Sequence, residues 1–269
     1  MWFAISSIIL YLLSVLLISP QLLRTHHSEQ HTQSNTTKTL FFCTALGALI
    51  AHFISLSPLF SALWHGEDYG ILVMGSLISA VAASLATLAS LLQIRTLWLI
   101  LPLVYCFAII HIVFAALIPS HMVQDLSQNM KLLFHIGLSL FTYAVCFIAT
   151  LYNIQLVWLD RNLKRKKMAF SPMIAPLMTV ERHFIRLLLC GELLLTLTLI
   201  SGSVFIADLF VAQSIPKAVF SLFAWLLFAI ALFGHSKRHW RGKRMLIYTI
   251  SGMILLSIAY FGSRLIFEI

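Results

Sequence analysis

The sequence predicts an all-α membrane protein, a bundle of eight transmembrane helices forming one integral membrane domain over residues 1–269. Three observations carry that reading. Hydrophobic residues make up 60% of the chain and charged residues only 10%, where a soluble domain has about 45–50% and about 25%. Mean hydropathy is +0.95. The apolar residues also gather into eight long runs, and a bilayer core needs about 20 consecutive ones per helix. This composition excludes a soluble domain, a disordered chain and a disulfide-stapled secreted module.

Read against their polar interruptions, the spans fall near Trp2–Leu23, Thr39–Phe60, Tyr69–Gln93, Leu97–Ile118, Leu132–Leu159, Leu187–Ala212, Ala218–Phe233 and Met245–Ile266. The first has no basic residue before it and no small-x-small cleavage site after it, so it reads as a retained helix and not as a signal peptide. Lys and Arg then set the sides through the positive-inside rule. The loops after spans one, three, five and seven hold 15 of the 18 basic residues, leaving Lys131, Lys217 and Arg264 opposite. Both termini are therefore expected on the periplasmic side of a bacterial inner membrane, with the basic loops in the cytoplasm. The net charge of +9 is mainly this topology signal, with attraction to membrane lipid secondary. Nucleic-acid binding is a poor reading of it, because the charges flank helix ends with no folded domain to present them. The longest polar stretch, Asp160 to Arg186, contains Pro172 and Pro176, which argue against one continuous helix there.

Cys43, Cys106, Cys146 and Cys190 all lie inside spans without C-x-x-C spacing, so thiol-disulfide chemistry and structural zinc are not expected. The absence of C-x-x-C-H excludes a covalent c-type cytochrome. No P-loop, H-E-x-x-H or G-x-S-x-G is present either, and the chain is not expected to be an enzyme.

Titratable groups inside a span are costly and are candidates for function by default. Here they are His52, His111, His135, Glu192, Asp208 and Arg264, with His235 at the inner end of span seven. At about 1.5 Å per residue, His135, His111 and His52 lie roughly 6, 10 and 12 Å below the outer ends of their helices. His235 lies at the opposite interface, so any haem it held would be a separate one. Neutral imidazole is the usual axial ligand of b-type haem, and Phe53, Phe134, Phe141 and Tyr143 near His52 and His135 would supply apolar walls. Lys131, Lys217 and Arg264 would supply cationic partners for propionates. The other reading is that each histidine hydrogen-bonds a nearby carbonyl or hydroxyl and that the lysine and arginine snorkel outward. Glu192 reads as a proton relay or as a neutral buried acid bonded to Thr or Ser. His26, His27 and His31 read as a solvated loop.

Four blocks carry a family resemblance: His135 through Gly137-Leu-Ser-Leu-Phe-Thr-Tyr143-Ala; Pro216-Lys217-Ala-Val-Phe-Ser-Leu-Phe-Ala-Trp225; Gly234-His235 through His239-Trp240-Arg241-Gly242; and Ala259-Tyr260-Phe261-Gly262-Ser263-Arg264. In order and spacing they resemble the cytochrome c assembly family of haem-handling membrane proteins, the CcsA and HemX type. The short eight-helix YpjD-like inner membrane branch is the most similar. The resemblance covers nearly the whole chain.

It implies non-covalent haem b as cofactor, with haem, apocytochrome or other cytochrome c biogenesis membrane proteins as partners. His135 matches the first outer histidine of the family and His235 the histidine at the inner end of the helix after the tryptophan-rich loop. That loop corresponds to Ile206 through Pro216, which has no Trp, and the second outer histidine has no counterpart. Each family haem pair is thus represented by one member, and His52 is the candidate partner for His135 by depth. The expected function is a haem-binding accessory of cytochrome c assembly or haem homeostasis. The alternatives are a cofactor-free regulatory membrane protein acting on tetrapyrrole synthesis, or a small-solute transporter using Glu192, Asp208 and Arg264.

Overall fold

The structure is a computed structural model that describes residues 2–23, 35–65, 70–92, 94–117, 130–164, 176–205 and 215–262. Nine α-helices are found among them: α1 Trp2–Leu23, α2 Asn35–Ser55, α3 Ser57–His65, α4 Ile71–Leu91, α5 Leu101–Leu117, α6 Met130–Lys164, α7 Leu177–Phe205, α8 Ile215–Arg238 and α9 Lys243–Ser257. The described residues contain no strand. Seven stretches are long and apolar enough to cross a membrane, and α5 is a shorter apolar helix of 17 residues. The chain is an all-α, multi-pass membrane protein.

Three spans depart from the sequence reading. The second is two helices, because Pro58 lacks an amide hydrogen and its ring would strike the carbonyl four residues back. The chain turns at Leu56 and resumes as α3. The fifth outlasts its apolar run, since α6 has 35 residues, roughly 52 Å, more than a hydrocarbon core of about 30 Å requires. The sixth starts ten residues early, at Leu177 directly after Pro176. Its first turns are amphipathic, not loop-like: Val180, Phe184 and Leu188 are buried at four-residue spacing, while Glu181 forms a 2.9 Å ion pair with Arg241 at the foot of α9.

The chain divides into two compact units. One comprises Met1–Gln128 with Arg161–Thr179, the other Asn129–Asp160 with Val180–Ile269. In the first, α1 packs against α2 and α5, and α4 against α2 and α5. Small residues let these helices approach closely, Ala45, Ala48, Ala80, Ala82, Ala83 and Ala108 being buried. The second is an up-and-down bundle of α6, α7, α8 and α9. His135 of α6 meets Ser201 of α7 at one end, and Asn153 of α6 meets Thr249 of α9 toward the other. Trp225 of α8 bonds Thr196 of α7 at 2.8 Å. The polypeptide leaves α9 through a π-helical turn, Ile258–Gly262, that sets Tyr260 and Phe261 against Tyr143.

The α8–α9 contact depends on Gly252, where a methyl group would come within 2.6 Å of the buried Phe228 ring. Gly252→Ala is therefore expected to cost about 1–3 kcal/mol by overpacking. The apparent thermal midpoint in detergent should fall, while Gly47→Ala, whose methyl would make ordinary contact with Leu10, should leave it nearly unchanged.

Candidate functional site

His135 lies in the second turn of α6, half-buried against the last turn of α7. Its Nδ1 is 2.8 Å from Ser201 Oγ, and the Ser201 hydroxyl donates to the Thr198 carbonyl at 3.0 Å. With the serine hydrogen on that carbonyl the imidazole is the donor; with the opposite tautomer Ser201 donates to Nδ1 instead. In the first of these arrangements the proton is on Nδ1 and Nε2 keeps a free lone pair. A metal-ligating histidine has this orientation, its second nitrogen fixed by a neighbouring acceptor. The ring can lie so close to α7 because residue 202 is glycine; a methyl group there would sit 3.1 Å from His135 Cε1.

An apolar groove of about 360 Å³ opens beside this pair, lined by Phe134, Leu138, Leu197, Ile200, Ser201 and Val204. Ser201 thus touches both the imidazole and the groove. Phe141 is partly exposed on the same helix, and Tyr143 is buried with its hydroxyl on Ser257 at 2.8 Å. Lys131 is exposed one turn before His135, and Lys217 is half-buried in the first turn of α8. Arg264 and Asp208 lie outside the described residues, as do the His26, His27 and His31 cluster and most of the loop from Ile206 to Pro216.

His235 is half-buried near the opposite end of the bundle, in the last turn of α8. Its Nδ1 donates to the Trp240 carbonyl at 3.1 Å, so Nε2 is again the nitrogen with a free lone pair. The link between α8 and α9 is built tightly around this bond. Trp240 donates its amide to the Gly234 carbonyl at 3.1 Å, stacks on Tyr248 at 5.2 Å and lies directly over Gly234. His239 and Gly242 turn the chain with positive φ of 51° and 60°.

His52 belongs to the first unit and is fully buried there. Both of its ring nitrogens are engaged, Nδ1 with Tyr11 Oη at 3.3 Å and Nε2 with Ser76 Oγ at 2.9 Å. Phe53 beside it is partly exposed. His111 bonds the carbonyl of Phe107 one turn back at 2.9 Å and packs on that ring. The described residues contain no cluster of three or more His, Cys, Asp or Glu that could hold a metal ion by themselves. All four cysteines are free, with Cys146 buried and the others exposed. The sequence reading passed over Ser201, Gly202 and the Trp240 carbonyl. The small polar run Ser201-Gly202-Ser203 at the depth of His135 was the available signal for the first two.

Comparison with known proteins decides the family. The model of the family described as "Cytochrome C assembly protein" matches residues 1–269. The chain belongs to the cytochrome c assembly family. It is 36% identical over 265 residues to inner membrane protein YpjD of Escherichia coli (strain K12), covering 98% of this chain and 97% of that one. Shorter similarities connect it to cytochrome c biogenesis protein CcsA. The Synechococcus sp. (strain RCC307) protein is 32% identical over 83 residues, 30% of this chain and 27% of that one. The Chlamydomonas reinhardtii protein is 27% identical over 151 residues, 55% and 42% of the two chains. No solved structure matches significantly. The family expectation is thus met, and the chain is a multi-pass inner-membrane protein with a role in cytochrome c maturation.

Proposed function

We propose that this chain holds haem b non-covalently and passes it on during cytochrome c maturation, with His135 as the iron ligand of one site and His235 of a second. The observation that carries the proposal is the Ser201 contact, which holds the His135 ring from another helix through Nδ1 and is compatible with the tautomer an iron ligand needs. His235 has the same tautomer through the Trp240 carbonyl. Haem would supply a redox-active iron and a large apolar ring. The chain supplies orientation of the ligating nitrogen, a groove of Phe134, Leu138, Leu197, Ile200 and Val204 that excludes water, and cationic side chains near the His135 end, with Lys131 and Lys217 suited to propionates. Arg264 stands with them by sequence position.

His52 has a lesser part in this reading. Ligating iron would require it to surrender the Tyr11 or the Ser76 hydrogen bond, leaving a buried group unsatisfied at a cost of about 1–3 kcal/mol. One protein ligand at each site suits a carrier better than a permanent cytochrome, since haem held through one side chain would be open to capture by a receiving apocytochrome or a partner biogenesis protein. The chain itself performs no bond chemistry in this proposal. This reading takes the His135 end and both termini to be periplasmic, the sidedness expected from the positive-inside rule.

Purification in mild detergent from haem-replete cells tests the proposal through oxidised and dithionite-reduced absorption spectra. A Soret band with reduced α and β bands is the expected outcome. A well-folded but colourless protein that also takes up no added haem would sink the proposal and favour a cofactor-free regulatory role.

A further inference from the structure

Glu192 is in the middle of α7, on the same buried stripe as Leu195, Thr198 and Ser201. Only 8% of it is exposed, and among the described residues neither carboxyl oxygen has a hydrogen-bond partner. An ionised carboxylate in that position would be an uncompensated charge in hydrocarbon, so the side chain is at rest a neutral acid. A protonated acid with both oxygens unused is an unsatisfied donor and acceptor, and its surroundings are not the inert packing that would normally bury a neutral group. The facing helix α6 presents Ser139, Thr142, Cys146, Thr150 and Asn153 at three- and four-residue spacing, all buried. That polar line is roughly 21 Å long, most of a hydrocarbon core of about 30 Å.

Its elements are joined across the bundle. Thr142 and Thr198 hydroxyls lie 3.0 Å apart, and Asn153 Nδ2 donates to Thr249 on α9 at 2.7 Å while its Oδ1 has no partner. The helices touch at Gly191, where an added methyl group would be 2.8 Å from Cys146 Sγ, and Glu192 follows at the next position. The titratable groups gathered there are thiols and phenols: Cys146 and Tyr143 of α6, Cys190 of α7 and Tyr260 of the π turn. From α8 the contact with this stretch of α7 is the uncharged Trp225 on Thr196.

The line also has an opening. Ser201 lines the groove, Thr198 accepts the Ser201 hydroxyl at its carbonyl and meets Thr142 through its own hydroxyl, and Thr142 is one turn from Cys146 on α6. From Ser201 to Glu192 is nine residues along α7, roughly 13 Å. We propose that Glu192 is a proton-binding station in the interior of the second unit, on the face of α7 that Thr198 and Ser201 continue toward the groove, with Thr142 facing Thr198 across it. Its ligand is the proton, and the function is proton movement between the groove and the middle of the membrane. The polar line shares the groove and Ser201 with the proposed haem site but uses no iron ligand, so the haem-free chain tests it by itself.

Infrared spectroscopy of the full, haem-free chain in lipid nanodiscs tests it, with the proton and deuteron as the probes. At neutral pH the wild type should show the carbonyl stretch of a protonated carboxyl, and Glu192→Gln should lose it. Transfer to D2O should shift that band within minutes in the wild type, and Thr142→Val with Thr198→Val should slow the shift. Absence of the band from the wild type would show an ionised or paired carboxylate and overturn the proposal. A wild-type band still unshifted after hours in D2O would show an acid sealed off from the groove, and would overturn it equally without reference to any variant.

Discussion

His135→Ala is expected to abolish haem retention at the groove, while His111→Ala leaves it intact. The two histidines differ in what their hydrogen bonds accomplish. His111 is tied to the carbonyl of its own preceding turn, which orients the ring along its helix and against Phe107. His135 is oriented by a hydroxyl on a different helix, beside a groove that this same hydroxyl lines. The groove's own lining is five apolar side chains and Ser201, so among the described residues the imidazole bonded to Ser201 provides the nitrogen the prediction assigns to it. Ser201→Ala should have an intermediate effect. It keeps the ligand but deletes its orienting acceptor, a change that typically costs 10–100-fold in metal affinity. Haem-to-protein ratios after detergent purification, compared across the three variants, check the order. Equal ratios for His135→Ala and His111→Ala would remove His135 from the site.

Gly234→Ala is expected to be the most disruptive single-methyl change in the second unit. The added carbon would lie far inside van der Waals contact with three ring atoms of Trp240, Cε3, Cδ2 and Cζ3. Trp240 cannot withdraw freely, because its ring is stacked on Tyr248 and its amide is bonded to the Gly234 carbonyl itself. Overpacking of this kind costs about 1–3 kcal/mol and occasionally more. The displaced residue also supplies the carbonyl that orients His235. Loss of stability and loss of the His235 site should therefore come together. A fall in the apparent thermal midpoint with altered tryptophan fluorescence is the expected readout. Gly137→Ala is the control, as nothing lies within 4 Å of its added methyl.

How far the sequence reached is clearest at particular residues. The described residues of the first span, Trp2–Leu23, are helical throughout, because a continuous apolar run has one way to satisfy its backbone in lipid. The seventh span and the described part of the eighth are helical for the same reason. The second is one apolar stretch, Thr37–Ala62, as the sequence reads it, but its helix is interrupted before Pro58, where hydropathy continues and the hydrogen-bond ladder does not. The sixth failed at its start, because Glu181, Arg182, His183 and Arg186 lower the local hydropathy while Val180, Phe184 and Leu188 still bury a stripe. Hydropathy averages over a helix and cannot see which side each residue faces.

The candidate site was legible in part. The depth of His135 followed from its place in the helix, but its tautomer depends on a hydroxyl 66 residues away and on where that hydroxyl sends its own hydrogen. His52 was ranked by depth alone, and depth does not disclose that Tyr11 and Ser76 occupy both of its nitrogens. Glu192 was expected to be bonded to Thr or Ser; instead its oxygens have no partner among the described residues. In each case the missing information is a side-chain contact between helices distant in sequence.

The central claim is that Nε2 of His135 ligates the haem iron, and chemical rescue tests it most directly. His135→Gly protein would be loaded with haem and its oxidised and reduced spectra recorded before and after imidazole is added. The expected result is a spectrum unlike the wild type that imidazole converts toward it. A His135→Gly spectrum already identical to the wild type before imidazole would contradict the claim.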